Sequence, residues 1–146
     1  MNTRIRSLLA ILILLLACAL QFWFASANVF INFILATLII FAFFFDILEL
    51  VVYILFAIFV INWSPGFSID IVAFALIPVA AYAFRKGFSW AAWAAAPLAI
   101  VFGFFLLYLA IAPAAFLGDW ELFLTDLFGG LVFGGLVFLT LDRLTV

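Results

Sequence analysis

The sequence predicts an all-α integral membrane protein, and three observations support this fold class. Hydrophobic residues fill 73% of the 146 positions and charged residues only 8%, against about 25% charged residues in soluble domains. The mean hydropathy is +1.58. The 22 Phe residues are too many for one small core, so many of them must face lipid. At this length, residues 1–146 are expected to form a single transmembrane domain.

The composition also excludes several classes of chemistry. The chain has no His, which is the usual general base, metal ligand and axial haem ligand. Its one cysteine, Cys18, lies in an apolar run and cannot form an internal disulfide or a cysteine-rich metal site. The five Lys and Arg residues are scattered and form no basic patch for nucleic acid. We therefore expect a protein that is not an enzyme and has no metal, cofactor or nucleic-acid partner.

Apolar runs separated by a few polar residues divide the chain into candidate membrane spans. About 20 helical residues at 1.5 Å rise each cross a hydrocarbon core of about 30 Å. The runs are Ile5–Phe24, Val29–Phe45, Leu50–Ile61, Ile71–Phe84, Trp90–Ala112 and Trp120–Leu141. The clearest loop between them is Asn62-Trp63-Ser64-Pro65-Gly66, and Pro113 to Asp119 is another.

The stretch from Asn28 to Asn62 is either one long helix or two short helices folded at Asp46–Glu49, which gives five or six spans in total. Cations accumulate on the cytoplasmic side of short loops. Six spans place all five cations on one side: Arg4, Arg6, Arg85, Lys86 and Arg143. We therefore predict a bundle of six transmembrane helices with both termini in the cytoplasm. Spans two and three are short, so they require tilt or a locally thin bilayer.

The N-terminal segment has a second interpretation, because two arginines before an apolar run also describe a signal peptide. Leu15-Leu16-Ala17-Cys18 is similar to a bacterial lipoprotein cleavage site. The apolar stretch continues through Phe22-Trp23-Phe24, however, where a signal peptide normally gives way to polar residues. We expect a first helix that is retained.

Asp126 is the most informative polar residue, because it follows Trp120 by about 9 Å along the last predicted span. A carboxylate inside a membrane indicates a functional site by default, because its burial costs several kcal/mol unless it is paired. The alternative is that Asp126 stays in the outer interface beside Asp119 and Glu121. If Asp126 is buried, it must be protonated, hydrogen-bonded or matched by a partner protein.

The other acidic residues have simpler interpretations. Asp46 and Glu49 share a helix face and form either a solvated turn or a docking point for a basic cytoplasmic partner. Asp70 opens the fourth span, where an acidic residue stabilises the helix dipole. We expect docking surfaces for partner proteins at Asp46 and Glu49 on the inside and at the Asp119–Asp126 segment, with Glu121, on the outside.

Small residues predict close packing between helices. Gly129, Gly130, Gly134 and Gly135 in the last span include Gly-x-x-x-Gly-type spacings, which let two helix backbones approach. Alanines between Ala91 and Ala96 offer a similar surface on the fifth span. The two surfaces either pack on each other or leave the glycines to dock another membrane protein. The remaining polar residues near spans are expected to form interhelical hydrogen bonds: Gln21, Asn32 and Asn62.

The order of these features resembles the MreD family of the bacterial rod-shape machinery, also called the elongasome. The likeness is one of layout over most of the chain. The matching segments are Leu20-Gln21, Asn28–Phe33, Asn62-Trp63-Ser64-Pro65-Gly66, Ile69-Asp70-Ile71 and Arg85-Lys86. The sequence departs from the family in lacking glycines in the third span and in having Asn62 where an acid is expected.

The resemblance implies a non-enzymatic inner-membrane scaffold that binds MreC and helps to organise cell-wall synthesis. It also implies a six-helix fold similar to the substrate-binding subunits of vitamin importers, so the alternative function is a small-molecule carrier. A carrier needs a mid-membrane cavity lined by several polar groups. An enzyme acting on lipid would depend on Asp119, Glu121 and Asp126, which have no basic residue nearby in the sequence.

Overall fold

The computed structural model describes residues 3–61, 68–87, 89 and 91–145, and this part of the chain contains helices and no strand. The helices are α1 (Thr3–Ser26), α2 (Phe33–Phe44), α3 (Ile47–Ile61), α4 (Ile69–Gly87), α5 (Ala92–Ile111), α6 (Pro113–Gly118) and α7 (Trp120–Thr145). The predicted loop Asn62–Gly66 lies outside the described residues. The loop predicted from Pro113 to Asp119 is instead the short helix α6.

Three of these helices are long and apolar enough to cross a membrane, namely α1, α5 and α7. The others are limited by length or by charge. With 12 and 15 residues, α2 and α3 are about 18 and 22 Å long, less than a hydrocarbon core of about 30 Å. α4 has 19 residues but carries Asp70 in its first turn and Arg85 and Lys86 in its last.

The predicted break of the Asn28–Asn62 stretch into two helices is confirmed over its described part, residues 28–61. α2 ends at Phe44, and Phe45 takes an extended conformation with φ −110° and ψ 161°. Asp46 is exposed and precedes α3, and its backbone N–H donates to Oε2 of Glu49 at 3.3 Å. Glu49 therefore closes the start of α3 in the way that an acid three residues after a helix cap usually does.

Apart from the short α6, successive helices run in opposite directions. The end of each helix therefore lies at the same end of the bundle as the start of the next one. At one end, Arg6 near the start of α1 contacts Phe44 at the end of α2 and Glu49 at the start of α3. Arg85 in the last turn of α4 and Phe138 in the second half of α7 also reach this end of α2. We call this the basic end of the bundle.

The opposite end gathers the other helix termini, and we call it the acidic end. Asn32 before α2 and Tyr108 of α5 both donate hydrogen bonds there to Asp126 of α7, and Gln21 of α1 accepts one from the backbone N–H of Ile34. Asp70 at the start of α4 lines a cavity with two of them. The start of α1 and the end of α7 therefore lie towards the basic end.

α2 is the central helix of the bundle. Every residue from Phe33 to Phe43 is buried. α2 packs against α1, α3, α4, α5 and α7. The surrounding helices expose large apolar side chains on their outer faces, for example Leu48 at 79%, Phe128 at 72% and Phe59 at 65%. An apolar outer surface of this kind matches lipid as the surrounding medium.

Candidate functional site: the polar ends of the central helix

The position of α2 creates a physical requirement at both of its ends. A helix leaves its first four N–H groups and its last four C=O groups without partners inside the helix. Water can satisfy such groups at a protein surface, but no water is present in a hydrocarbon core, where each unsatisfied group costs several kcal/mol. Because α2 is short and surrounded by other helices, its terminal groups need partners from those helices.

Asp126 of α7 caps the amino end of α2. The backbone N–H of Asn32 donates to its Oδ1 at 2.6 Å, and Nδ2 of Asn32 donates to its Oδ2 at 3.0 Å. The hydroxyl of Tyr108 on α5 donates to the same Oδ2 at 2.8 Å. The sequence left open whether Asp126 is buried or stays in the outer interface. Its side chain is 0% exposed, so it is buried within the bundle. Its carboxylate is hydrogen-bonded, as a buried acid requires.

Gln21 of α1 completes this amino-terminal cap. Its Oε1 accepts a hydrogen bond from the backbone N–H of Ile34 at 3.1 Å. Side chains from α1, α5 and α7 therefore converge on the start of α2. The interhelical hydrogen bonds expected of Gln21 and Asn32 are both present, whereas Asn62 lies outside the described residues.

Two arginines cap the carboxyl end of α2. The Nη1 atom of Arg85 donates to the carbonyl oxygens of Ala42 at 3.1 Å and of Phe45 at 3.4 Å. A guanidinium nitrogen of Arg6 donates to the carbonyl oxygen of Phe44. The guanidinium of Arg6 also lies 4.4 Å from the centre of the Phe45 ring, a cation–π distance. Arginine suits this position because it offers five donors in a fixed plane.

Glu49 links the carboxyl-terminal cap to α3. Its Oε2 lies 3.4 Å from Nη2 of Arg6, and both side chains are partly buried. The same Oε2 accepts from the backbone N–H of Asp46. Glu49 is thus engaged inside the bundle, whereas the neighbouring Asp46 is exposed.

The charges at the two ends of α2 have the signs that its dipole favours. A helix carries partial positive charge at its amino end and partial negative charge at its carboxyl end. Asp126 lies at the amino end, and Arg6 and Arg85 lie at the carboxyl end. Each charge is therefore stabilised by the dipole of the helix that it caps. The hydrogen bonds stabilise the arrangement further, because a hydrogen bond with a charged partner is stronger than one between neutral groups.

The glycines of α7 face the interior of the bundle, with one exception. A Cβ on Gly130 would lie 2.6 Å from Phe104 of α5, and one on Gly134 would lie 2.6 Å from Ile100 of the same helix. A Cβ on Gly129 would lie 2.7 Å from Ile31. Three of the four glycines thus allow close packing against other parts of this chain.

Gly135 differs from its neighbours, because a Cβ there would meet nothing within 4 Å. On α5, Gly103 shows a close approach that the sequence analysis did not single out. A Cβ on Gly103 would lie 2.7 Å from Ile39 of α2 and 2.9 Å from Ile77 of α4. No Gly-x-x-x-Gly pattern marks this position, so the signal in the sequence was a single glycine in an apolar run.

The remaining acidic residues of the acidic end lie on the surface. Asp119 and Glu121 are exposed at the start of α7, beside the half-exposed Trp120. Oδ1 of Asp119 accepts from the backbone N–H of Leu122 at 3.3 Å, which caps α7. Leu117 of α6 is 75% exposed next to them. This surface combines carboxylates with large apolar side chains.

Sequence reasoning identified some of these functional groups and missed others. It singled out Asp126, Glu49, Gln21 and Asn32, but it gave no structural role to Tyr108. A tyrosine near the end of a long apolar run is the signal that could have suggested a hydroxyl donor. From the sequence, Arg6 and Arg85 indicated only the orientation of the chain in the membrane. Their capping role could have been suspected, because the last carbonyl groups of a short helix need donors from outside that helix.

The arrangement is suited to holding helices together. Within the described residues, no group of three or more acidic or cysteine side chains lies close enough to hold a metal ion. Asp126, Arg6 and Arg85 bind backbone groups of α2 or the residues beside it. Comparisons with family models, with curated proteins and with solved structures found no match to this chain.

Proposed function

We propose that the chain is a six-span integral membrane protein of the bacterial inner membrane, with both termini in the cytoplasm. Three long apolar helices and the opposite directions of successive helices support this topology. Arg6 and Arg85 lie at the basic end, where α1 begins and α7 ends. By the positive-inside rule the basic end faces the cytoplasm. The short helices α2 and α3 then require a locally thin bilayer or tilted neighbours.

We infer that this protein is a non-enzymatic scaffold that binds other integral membrane proteins. The observation that carries the proposal is how the charged groups at the two ends of α2 are used. Asp126, Arg6 and Arg85 cap the central helix, so they serve the integrity of the bundle. The polar groups left for interactions include exposed residues at the two ends: Asp46 at the basic end, and Asp119 and Glu121 at the acidic end.

The resemblance to the MreD family gives this scaffold a specific setting. In that setting the protein is a subunit of the cell-shape machinery, and its partner is an MreC-like membrane protein. The exposed surface of Leu117, Asp119, Trp120 and Glu121 supports a docking site on the periplasmic side, because it offers apolar area with a charged rim. A partner with basic residues next to its own membrane span would complement this surface.

Recovery of a partner from membranes tests the scaffold. We expect Asp119→Asn combined with Glu121→Gln to reduce cross-linking to an MreC-like partner several-fold. Asn at position 119 can still cap α7, so the bundle should stay folded. Asp70→Asn is the matched control, because it removes a carboxylate from the same end but from a different helix. Equal recovery with the double variant and with the wild type would contradict this docking site.

The alternative function, a small-molecule carrier subunit, has one observation in its favour. A cavity at the acidic end is lined in part by Gln21, Asn32 and Asp70. A carrier would move a ligand across vesicle membranes, which a scaffold would not do. Uptake of a ligand into vesicles that depends on this chain, without a recoverable protein partner, would favour the carrier.

A further inference from the structure

The cavity at the acidic end is bounded by residues of α1, α3, α4 and α5 and by Asn32 before α2. It has a volume of about 180 Å³. Among the described residues that line it, three are polar, namely Gln21, Asn32 and Asp70. The other described lining residues are apolar and include Ile58, Phe74 and Leu107. An apolar cavity with a few convergent polar groups is the usual form of a small-molecule site.

The hydrogen bonds to the α2 cap fix what the two amides offer to this cavity. Asn32 must present its NH₂ group to Asp126, because a carboxylate can only accept. Oδ1 of Asn32 is an acceptor that takes no part in these bonds to Asp126. Gln21 must present its Oε1 to the N–H of Ile34, because an N–H can only donate. Its NH₂ group remains as a donor.

The charge at the cavity is negative. The carboxylate of Asp70 lines it, and Asp70 lies on the exposed first turn of α4. Asp126 is close by through Asn32 but is buried and already accepts three hydrogen bonds. The arginines Arg6 and Arg85 lie at the opposite end of α2. An amide acceptor and a carboxylate at one cavity, with no Lys or Arg among its described lining residues, favour a cationic donor as the ligand.

We propose that this cavity binds a small protonated organic amine, with the ammonium group between Asp70 and Oδ1 of Asn32 and an apolar body against Ile58, Phe74 and Leu107. The volume sets the size of that body, because an engineered apolar cavity of about 150 Å³ holds one benzene molecule. The site is distinct from the surface of Asp119 and Glu121, and it does not depend on the scaffold function.

Equilibrium binding of benzylamine tests this site, using the full chain in lipid nanodiscs and empty nanodiscs as the background. We expect saturable binding of one benzylamine per chain, with a Kd on the order of 1 mM for a ligand of this size. Benzyl alcohol, which has the same body without the charge, should bind at least about fivefold more weakly. Raising the ionic strength should weaken binding of the amine but not of the alcohol.

Two variants separate the site from non-specific partitioning. Asp70→Asn should weaken benzylamine binding by roughly fivefold or more, whereas Asp119→Asn at the same end should leave it unchanged. Ile58→Phe should reduce binding of both the amine and the alcohol by filling the cavity. Non-saturable binding, or equal losses for Asp70→Asn and Asp119→Asn, would overturn the proposal. Asp70 is exposed, so its variant should fold even if the Ile58 variant does not.

Discussion

The backbone N–H of Asn32 donates to Oδ1 of Asp126 at 2.6 Å, across a separation of 94 residues. This bond fixes the start of the central helix to the last helix of the chain. Because Nδ2 of Asn32 and the hydroxyl of Tyr108 both donate to Oδ2 of the same carboxylate, one side chain joins three parts of the bundle. We therefore expect Asp126 to stabilise the fold more than any exposed acid does.

Replacing Asp126 should strongly destabilise the bundle. Asp126→Leu would leave the two donors of Asn32 and the hydroxyl of Tyr108 without their acceptor, and we expect a loss of about 3 kcal/mol in the free energy of unfolding. Asp126→Asn retains one acceptor oxygen and should lose about half as much. Tyr108→Phe removes a single hydrogen bond and should cost about 1 kcal/mol. Reversible unfolding in detergent micelles measures these values.

Glu121→Gln is the matched control for this series, since it changes an exposed acid in the first turn of the same helix. We expect its effect to stay within about 0.5 kcal/mol. If Asp126→Leu unfolds no more easily than Glu121→Gln, the cap does not stabilise α2.

The arginines at the other end of α2 should show a preference for a guanidinium group. Arg85→Ala removes the donor to the carbonyl oxygens of Ala42 and Phe45, and we expect a loss of about 2 kcal/mol. Arg85→Lys keeps the charge but not the planar donors, so it should recover only part of this loss. Lys86→Ala, at the next residue, should cost less than about 1 kcal/mol, because the ammonium group of Lys86 lies over the Tyr82 ring of its own helix and makes a cation–π contact there. Equal losses for Arg85→Ala and Lys86→Ala would contradict the capping role.

The glycines of α7 provide a test in which neighbouring positions should respond differently. Gly130→Leu and Gly134→Leu would place atoms against Phe104 and Ile100 of α5, and each should cost about 2–3 kcal/mol. Gly135→Leu has open space and should be neutral or slightly stabilising, because Leu favours the helix more than Gly does. Thermal unfolding of the three variants measures the difference. If Gly135→Leu lowered the stability as much as Gly130→Leu, the contact of Gly130 with Phe104 would not be the cause of the loss.

Labelling with a membrane-impermeant maleimide tests the proposed orientation. In a Cys18→Ala background, Glu121→Cys should react in intact spheroplasts, whereas Lys86→Cys should react only after permeabilisation. Both positions are exposed in the fold, so access depends on the side of the membrane. Reaction of Lys86→Cys in intact spheroplasts would overturn the six-span topology with cytoplasmic termini.

Parts of the fold could be predicted because lipid acts on local segments of sequence. The break at Asp46–Glu49 was predicted because it places all five cations on one side, and it is present. The apolar run predicted a second span from Val29, whereas α2 begins at Phe33. The difference arises because Asn32 has its backbone N–H and its side chain bound to Asp126, which determines where the helix starts. No local pattern contains that information.

The sequence by itself determined that the chain is helical and apolar, that a helix ends near Asp46, and that the cations near the helix ends fall on one side. These properties depend on the composition and on residues that are close together in the sequence, because the hydrophobic pattern and the charges act locally. Only the tertiary structure decided that α2 is the central helix and that Asp126, Arg6 and Arg85 cap it. Those contacts depend on how each helix is rotated about its own axis and which helices are neighbours. Close packing of the whole bundle sets both, through contacts such as Gly130 against Phe104, between residues far apart in the chain.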